Sequence, residues 1–171
     1  MVKNDIKSIS ELLGKHFYIP SYQRGYRWEE QQITDLLNDI LDFQRKVSSR
    51  KVDVGEFYCL QPLIVTQREN EVWEVVDGQQ RLTTILILLS FLSTKGDYGI
   101  PAELFSIEYE TREKEDCNSK EFLKGITSTT EINKINVDFY RMSDAYLIIK
   151  KWFEENKPTI GKFVDTLISH E

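Results

Sequence analysis

The sequence predicts an α+β fold, in which a small mixed β-sheet packs against helices and a helical C-terminal extension follows. Three observations lead to this class. Short segments rich in β-branched and aromatic residues occur in the N-terminal part of the chain. One segment, residues 82–92, is apolar on all sides and is typical of a buried helix. From Phe122 onward, apolar residues recur at helical spacing.

The first elements are a short extended stretch at residues 17–19, which Pro20 closes, and an amphipathic helix at residues 29–44. The helix is predicted because apolar residues recur there at i, i+3, i+4 and i+7, and because two glutamates lie in its first turn, where the helix dipole favours them. Residues 48–55 are polar and charged, so we expect a flexible connection there.

A β-hairpin is predicted next. Residues 57–66 and 72–76 are rich in β-branched and aromatic side chains, and the polar residues 67–71 between them are typical of a turn. Asp77 and Gly78 follow at once, and then comes the apolar helix, which we expect to form the buried centre of the fold and to end near Lys95 and Gly96.

The rest of the chain is predicted to be mainly helical. Residues 105–109 are expected to form another strand and residues 111–118 a charged loop. A short helix starts near Phe122, and a last short helix starts at Pro158. Between them a long helix is indicated by an apolar stripe made of Phe139, Met142, Tyr146, Ile149, Trp152 and Phe153.

The composition fits one globular domain with an appendage, since the 171 residues are 40% hydrophobic and 29% charged. We assign residues 1–113 to the core and residues 114–171 to the helical extension, which we expect to begin a larger helical region of a longer protein. No signal peptide and no segment long enough to span a membrane is recognisable, which predicts a cytoplasmic protein.

Charge and cysteine usage exclude several classes of function. The formal net charge of −6 excludes a uniformly basic nucleic-acid-binding surface, so any DNA contact must be local or made by another part of the protein. Cys59 and Cys117 are far apart, and only two histidines accompany them. A structural zinc site and a disulfide framework are therefore not expected.

The turn Asp77-Gly78-Gln79-Gln80-Arg81 is the first candidate site, because it lies between a predicted strand and the apolar helix. Gly78 allows a sharp turn and a close approach of the backbone to a ligand. The helix start offers unpaired N–H groups and a positive dipole end, which together form an anion site.

Side chains of this turn supply complementary chemistry. Arg81 offers a fork for phosphate oxygens, while Thr83 and Thr84 offer hydroxyl groups. Asp77 could hold a divalent cation or, together with Gln79 or Gln80, orient a water. The alternative is that Asp-Gly is an ordinary turn and that Arg81 extends into solvent.

Three further places complete the candidate set. In residues 22–28 two arginines alternate with three aromatic residues, an arrangement that can hold phosphate and stack on a base; here Gln23 and Arg24 are favoured, with Tyr26 beside them. Aromatic residues at this position can equally plug the edge of a core. Gln61, before Pro62, could face a cleft, although a simple strand entry is the plainer interpretation. Arg112 follows a strand, where solvated surface charge is the favoured alternative.

The order of these pieces resembles the ParB/sulfiredoxin-like domain. The strings Tyr22-Gln23-Arg24-Gly25-Tyr26-Arg27-Trp28 and Val76-Asp77-Gly78-Gln79-Gln80-Arg81-Leu82-Thr83-Thr84 resemble one branch of it, the N-terminal domain of GmrSD-type restriction endonucleases and their relatives in phage defence. The resemblance covers residues 6–112 and, more loosely, residues 136–153. Gln61 departs from many GmrSD-type members and is similar to ParB itself.

The resemblance implies binding and hydrolysis of a nucleoside triphosphate such as GTP or ATP with Mg²⁺, coupled to recognition or cutting of modified foreign DNA. By the same resemblance Gly78 and Arg81 cradle the phosphates, and Gln23 and Arg24 belong to the first motif. The nuclease module of the family is not among these residues. We therefore expect nucleotide as a partner, DNA reached through the full-length protein, no membrane, and a homo-oligomer as a compatible state.

The sequence is compatible with two other functions. The first is a non-catalytic DNA-binding or protein-interaction module on the same scaffold, which would contact DNA phosphates in place of a nucleotide. The second is a nuclease that uses the same cleft. The second is disfavoured because the sequence shows no close set of carboxylates and histidines with metal-binding spacing.

Overall fold

A computed structural model describes residues 7–49, 58–112 and 118–168. It confirms the α+β class: four strands form one sheet, and helices pack against it. The strands are β1 (His16–Ile19), β2 (Ile64–Gln67), β3 (Val72–Asp77) and β4 (Ser106–Tyr109), and the helices are α1 (Glu30–Ser48), α2 (Gln79–Ser93), α3 (Ser119–Lys124), α4 (Val137–Asn156) and α5 (Ile160–Ile168). Single 3-10 turns occur at Ile9–Leu12, Glu69–Glu71, Glu110–Arg112 and Ile126–Ser128.

The sheet is mixed, with the order β2-β3-β1-β4. Strand β1 is parallel to both β3 and β4, whereas β2 is antiparallel to β3. Ile19 pairs with Tyr109 at the end of β4, and Ile64, which begins β2, pairs with Asp77 at the end of β3. The three parallel strands therefore end, and β2 begins, at one edge of the sheet, which we call the strand-end edge.

Helix α2 lies at the centre of the fold, as its sequence predicts. All residues from Leu82 to Leu92 are buried, because a helix that is apolar on every side is stable only when it is surrounded by protein. The helix starts at Gln79, three residues before the predicted apolar segment, and continues to Ser93. Polar residues of its first turn are thereby drawn into the interior.

The predicted hairpin and amphipathic helix are confirmed, with different bounds. Strand β2 begins only at Ile64, because Gln61 has a left-handed backbone and Pro62 lacks the N–H group that pairing needs. Helix α1 extends four residues past the predicted end, to Ser48, and Arg45 and Lys46 in its last turn suit the dipole. Predictions for residues 50–57, including the connection after Ser49 and the first residue of the hairpin, lie outside the described residues.

The C-terminal helices share the core of the N-terminal part. Helix α4 packs against both α1 and α2, and α5 packs against α1. The predicted stripe on α4 is buried, and its Phe153 contacts the rings of Phe91 and Phe163. The division into residues 1–113 and 114–171 stays a prediction, but buried side chains from both parts belong to one hydrophobic cluster.

The short elements around β4 agree with the sequence only in part. The strand and the helix α3 are confirmed, and Asn118 caps α3 by accepting a hydrogen bond from the N–H of Glu121 at 3.0 Å. Within the predicted loop, residues 110–112 form a 3-10 turn, and residues 113–117, with Cys117, lie outside the described residues. No helix in the described parts of the chain has the length and apolar character needed to cross a membrane.

Candidate functional site

All four segments singled out in the sequence meet at the strand-end edge. The loop of residues 20–28 follows β1, the turn at Asp77 and Gly78 follows β3, and Glu110–Arg112 follows β4. The segment of residues 61–63 leads into β2 at the same edge. Ligands of open sheets with parallel strands bind outside the carboxyl ends of the strands, so this edge is where a ligand is expected.

Gly78 forms a corner that no other residue fits without strain. Its φ of +92° is left-handed, and a Cβ atom there would lie 3.2 Å from the carbonyl oxygen of Pro62 and 3.1 Å from Cδ1 of Leu63. The Asp77 carboxylate accepts a hydrogen bond from the Gly78 N–H at 2.8 Å, which fixes the turn. The backbone can therefore change direction sharply and begin α2 at Gln79.

The N-terminus of α2 points out of this corner and is not capped by a side chain. Its first turn contains no acidic residue, and the nearest carboxylate along the chain, Asp77, binds the N–H of Gly78 before the helix begins. Together these features make the start of α2 suited to an anion.

Arg81 lies in that first turn and is held by uncharged groups. Its Nη2 donates to Oε1 of Gln61 at 2.5 Å, and its guanidinium lies 5.8 Å from the centre of the Trp28 ring. Among the described residues no carboxylate comes within ion-pair distance of Arg81. Trp28 is a contact that the sequence did not assign, although its place in the aromatic string near two arginines was a signal for a cation–π pair.

Gln79 and Gln80 clamp the loop of residues 20–28. Gln79 Nε2 donates to the carbonyl oxygen of Arg24 at 2.7 Å, and Gln80 Nε2 donates to that of Gly25 at 3.0 Å. Gln80 Oε1 in turn accepts from the backbone N–H of Arg27 at 2.7 Å. Both side chains are therefore buried between α2 and the loop, whereas the sequence assigned them to water or metal positioning.

One atom of this clamp lacks a partner. Oε1 of Gln79 is buried and accepts no hydrogen bond from any described residue. The amide cannot simply be reversed, because its nitrogen is needed by the Arg24 carbonyl. Leaving a buried acceptor unsatisfied costs about 1–3 kcal/mol, so this atom is a feature that requires an explanation.

Gln23 and Arg24 differ in their surroundings. Gln23 Nε2 donates to the carbonyl oxygens of Val75 at 3.1 Å and Val76 at 2.6 Å, which links the loop to β3 beyond the last paired residue of β1. The Arg24 side chain is exposed, and within the described parts of the chain it forms no ion pair. Arg24 is thus available to a ligand at the edge, while the Gln23 amide is committed to the backbone.

Tyr26, Thr83 and Thr84 lie inside the core. The Tyr26 hydroxyl is 2.8 Å from the Thr84 hydroxyl, and Thr83 is 2.8 Å from the hydroxyl of Tyr109. Each threonine also donates to the carbonyl oxygen four residues earlier in α2, at 2.9 Å. Burial raises the pKa of the Tyr26 phenol well above its ordinary value. These hydroxyl groups position the loop and the sheet on α2, and they do not reach the surface of the edge.

An ion pair between a partly exposed arginine and a buried aspartate, which the sequence did not indicate, fastens the loop to α4. Arg27 pairs with Asp138, whose side chain is only 1% exposed, and also donates to the carbonyl oxygen of Tyr26 at 2.6 Å. Asp138 lies in the first turn of α4, behind the cap Asn136. Acidic residues are common there for dipole reasons alone, so the sequence carried no signal for this partner 111 residues away.

The remaining candidates lie at the rim. Gln61, with a φ of +72°, contacts Arg81 as described, and Arg112 ends a 3-10 turn with its side chain outside the described part of the structure. The Ser21 N–H donates to Glu110 at 2.6 Å, and this bond holds the pKa of the Glu110 carboxyl below its usual value. The end of β1 is thereby tied to the end of β4.

Asp77 is the exposed carboxylate nearest to the start of α2 along the chain. Within the described residues no group of three or more histidine, cysteine, aspartate or glutamate side chains could hold a metal ion together. Mg²⁺ commonly binds one or two carboxylates and completes its coordination with phosphate and water. Asp77 could therefore contribute one ligand to a Mg²⁺ ion that a polyphosphate brings with it.

Two open concavities elsewhere on the described surface do not belong to this site. One lies on the sheet face that the helices leave uncovered, where His16, Tyr18 and Arg68 contribute to its lining. The other lies between α3 and α4, in residues 122–134.

A family model described as GmrSD restriction endonuclease, N-terminal domain, matches residues 6–170. No curated protein sequence matches the chain.

Proposed function

The chain belongs to the family of GmrSD restriction endonuclease N-terminal domains, which implies a role in restriction or phage defence, and we propose that it binds a nucleoside triphosphate at the strand-end edge and hydrolyses it. In this proposal the phosphates lie against the N-terminus of α2, between Arg81 on one side and Arg24 on the other. Binding and hydrolysis of the nucleotide would be coupled to the recognition or cutting of modified DNA by the longer protein.

The observation that carries the proposal is the state of Arg81. In a chain of net charge −6, this guanidinium is held at an uncapped helix start by an amide and an indole ring, with no carboxylate partner among the described residues. A planar, oriented guanidinium beside unpaired helix N–H groups is arranged to receive an oxyanion. Arg24, exposed on the facing loop, supplies a second positive charge.

The rest of the edge supports the same ligand. Gly78 keeps the corner free of a side chain, so that phosphate oxygens can approach the backbone. Asp77 would hold a Mg²⁺ ion together with those oxygens, and the ion would neutralise charge on the transferred phosphoryl group. Gln23, Tyr26, Thr83 and Thr84 act on the ligand only through the positions of the loop and of α2.

We propose that DNA is contacted by other parts of the longer protein and not by this chain. The negative net charge of this chain opposes a broad DNA contact, and the positive charges of the edge are few and close together. We therefore place the recognition of modified DNA, and any cutting, outside the residues of this chain.

The experiment is a comparison of Arg81→Ala, Arg81→Lys and a control, Arg45→Ala. Arg45 is an exposed arginine of α1 that pairs with Asp42 three residues earlier. Binding of non-hydrolysable triphosphate analogues is measured by calorimetry, and phosphate release is measured for four nucleoside triphosphates, with and without Mg²⁺ and modified DNA. Circular dichroism checks the fold of each variant.

We expect Arg81→Ala to weaken analogue binding by about 100-fold, because a charge-assisted contact and its orientation are lost. Arg81→Lys should recover binding only in part, since lysine cannot form the planar fork. Arg45→Ala should bind as the unchanged chain does. Unaltered binding by a folded Arg81→Ala variant would overturn the assignment, and salt-sensitive DNA binding without phosphate release would support a non-catalytic DNA-binding module instead.

A further inference from the structure

The two adjacent glutamines of the α2 N-terminus have different bonding states, and this difference assigns a catalytic role. Building on the proposed hydrolysis, we propose that Gln79 orients the attacking water through its Oε1 atom and that Gln80 is purely a clamp of the loop. The sequence alone treats the two residues as equivalent.

Gln80 is bound at both ends of its amide group. Its Nε2 donates to the carbonyl oxygen of Gly25, and its Oε1 accepts from the backbone N–H of Arg27. Both contacts are to backbone groups of the same loop, on either side of the buried Tyr26. An amide held in this way cannot turn toward a ligand without releasing the loop.

Gln79 is bound at one end only. Its Nε2 donates to the Arg24 carbonyl at 2.7 Å, while its Oε1 is buried without a partner among the described residues. The side chain is 6% exposed, so solvent does not supply the missing donor in this state. Because Gln79 is the first residue of α2, the acceptor lies at the helix start where the phosphates are proposed to bind.

The Arg24 contact couples this acceptor to the ligand. The residue whose carbonyl holds Gln79 is the same residue whose exposed side chain is free to reach a phosphate. The proposed role requires the Arg24 backbone to shift when its side chain binds a phosphate, so that a water reaches Gln79 Oε1. A water that enters there gains an acceptor that was prepared for it, and catalysis by a positioned water requires such a group.

In the hydrolytic step, a bond forms between the water oxygen and the terminal phosphorus. The bond between that phosphorus and the bridging oxygen breaks, and its electron pair leaves with the nucleoside diphosphate. Gln79 Oε1 accepts a hydrogen bond from the water and directs its lone pair toward phosphorus; the proton is passed to a phosphoryl oxygen. The amide itself gains and loses no atoms.

Two substitutions of Gln79 test the hydrogen-bond donor and the acceptor of its amide group separately. Gln79→Lys keeps an N–H donor for the Arg24 carbonyl and removes the acceptor, whereas Gln79→Glu keeps an acceptor oxygen and removes the donor. Gln80→Met serves as the matched variant, because it removes both clamp contacts one residue along. Each is assayed for melting temperature, for affinity toward a non-hydrolysable triphosphate analogue, and for phosphate release at saturating nucleotide with Mg²⁺.

We expect Gln79→Lys to lower phosphate release at saturation by about 100-fold without weakening analogue binding, because its ammonium group adds positive charge near the phosphates. Gln80→Met should lower the melting temperature and the affinity, and it should lower turnover at saturation much less than Gln79→Lys does. Gln79→Glu should bind more weakly but still turn over the nucleotide that it binds. If Gln79→Lys does not fold, Gln79→Glu decides, and loss of its turnover at saturation overturns the assignment.

Three further results would contradict this inference. Wild-type turnover by a folded Gln79→Lys variant excludes a role for Oε1, and a matching loss of turnover in Gln80→Met would mean that both residues act only through the loop. A wild-type chain that binds the analogue but releases no phosphate would refute hydrolysis itself, and with it the role of Gln79. The first two outcomes leave the proposed function intact, so the two failures can be told apart.

Discussion

The carboxylate of Asp138 lies against the backbone of Gly25, in the space that a Cβ atom on Gly25 would occupy. The same carboxylate pairs with Arg27, two residues further along the loop. The loop between β1 and α1 is therefore fixed from two sides, by the glutamines of α2 and by the first turn of α4. The absence of a side chain at position 25 is what permits the second contact.

Replacing Gly25 by alanine should destabilise the chain by about 1–3 kcal/mol, because the new methyl group collides with a buried carboxylate. The cost should be smaller in an Asp138→Ala background, where that carboxylate is absent, and a double-mutant cycle of urea unfolding measures the difference. Gly125→Ala is the control, since a Cβ there would lie 3.7 Å from the carbonyl oxygens of Glu121 and Phe122 and its φ is −87°. Equal effects at positions 25 and 125 would contradict the packing described here.

Replacing Gly78 by alanine should cost stability through both its left-handed backbone and the contacts with Pro62 and Leu63. Gly14→Ala isolates the backbone contribution, because Gly14 has a φ of +72° and no atom within 4 Å of an added Cβ. We expect about 1 kcal/mol for Gly14→Ala and about 2–3 kcal/mol for Gly78→Ala in urea unfolding. Only Gly78→Ala should also weaken binding of a triphosphate analogue. Weaker binding in both variants would mean that the loss of binding does not arise from the corner at Gly78.

Replacing Thr84 by valine should leave analogue affinity unchanged and lower stability by about 1–2 kcal/mol, because the buried Tyr26 hydroxyl loses its partner. Thermal unfolding and calorimetry measure the two effects separately. Thr166→Val, in which the hydroxyl of an exposed helical threonine is removed, controls for the change in helix propensity. Weaker binding with unchanged stability would mean that the Thr84 hydroxyl reaches the ligand, as the sequence predicted.

His16 should make the chain less stable below about pH 6.5. Burial, followed by the nearby charge of Lys120, lowers the pKa of His16 from its ordinary value of 6.5, although Glu108 opposes the shift. Because the unfolded chain then binds the proton more readily, the stabilisation is complete above pH 6.5 and is lost as the pH falls toward the folded pKa. The free energy of unfolding of His16→Gln, followed over about pH 5 to pH 8, should lack this dependence.

Glu108→Gln tests the same balance from the other side. Its carboxylate lies 3.4 Å from Nε2 of His16 and raises the pKa of the imidazole. Removing that charge should lower the His16 pKa further and widen the pH range over which stability is lost. A His16 pKa that is unchanged in Glu108→Gln, followed by NMR titration, would contradict this electrostatic account.

The amino-acid sequence by itself determined the kinds of element and indicated the place of the candidate site. Hydrophobic periodicity is a local property, so the apolar α2, the stripe on α4 and the hairpin were readable from spacing alone. Gly78 between a strand and a helix was likewise a local signal, and the structure confirms that a sharp, left-handed corner occupies it. The sequence did not give the ends of these elements. Strand β2, for example, starts later than its composition indicates, because the backbone conformation of Gln61 and the missing N–H group of Pro62 prevent pairing before Ile64.

Only the tertiary structure decided which polar atoms of the motifs are used internally. Gln79 and Gln80 reach backbone groups about 55 residues away, Thr84 meets Tyr26 across 58 residues, and Arg27 meets Asp138 across 111. Such partners are chosen by how the sheet, α2 and α4 pack, and no spacing in the chain encodes them. Hydrogen bonds inside a core depend on distances of a few tenths of an ångström, which exist only after apolar surfaces have brought distant segments together.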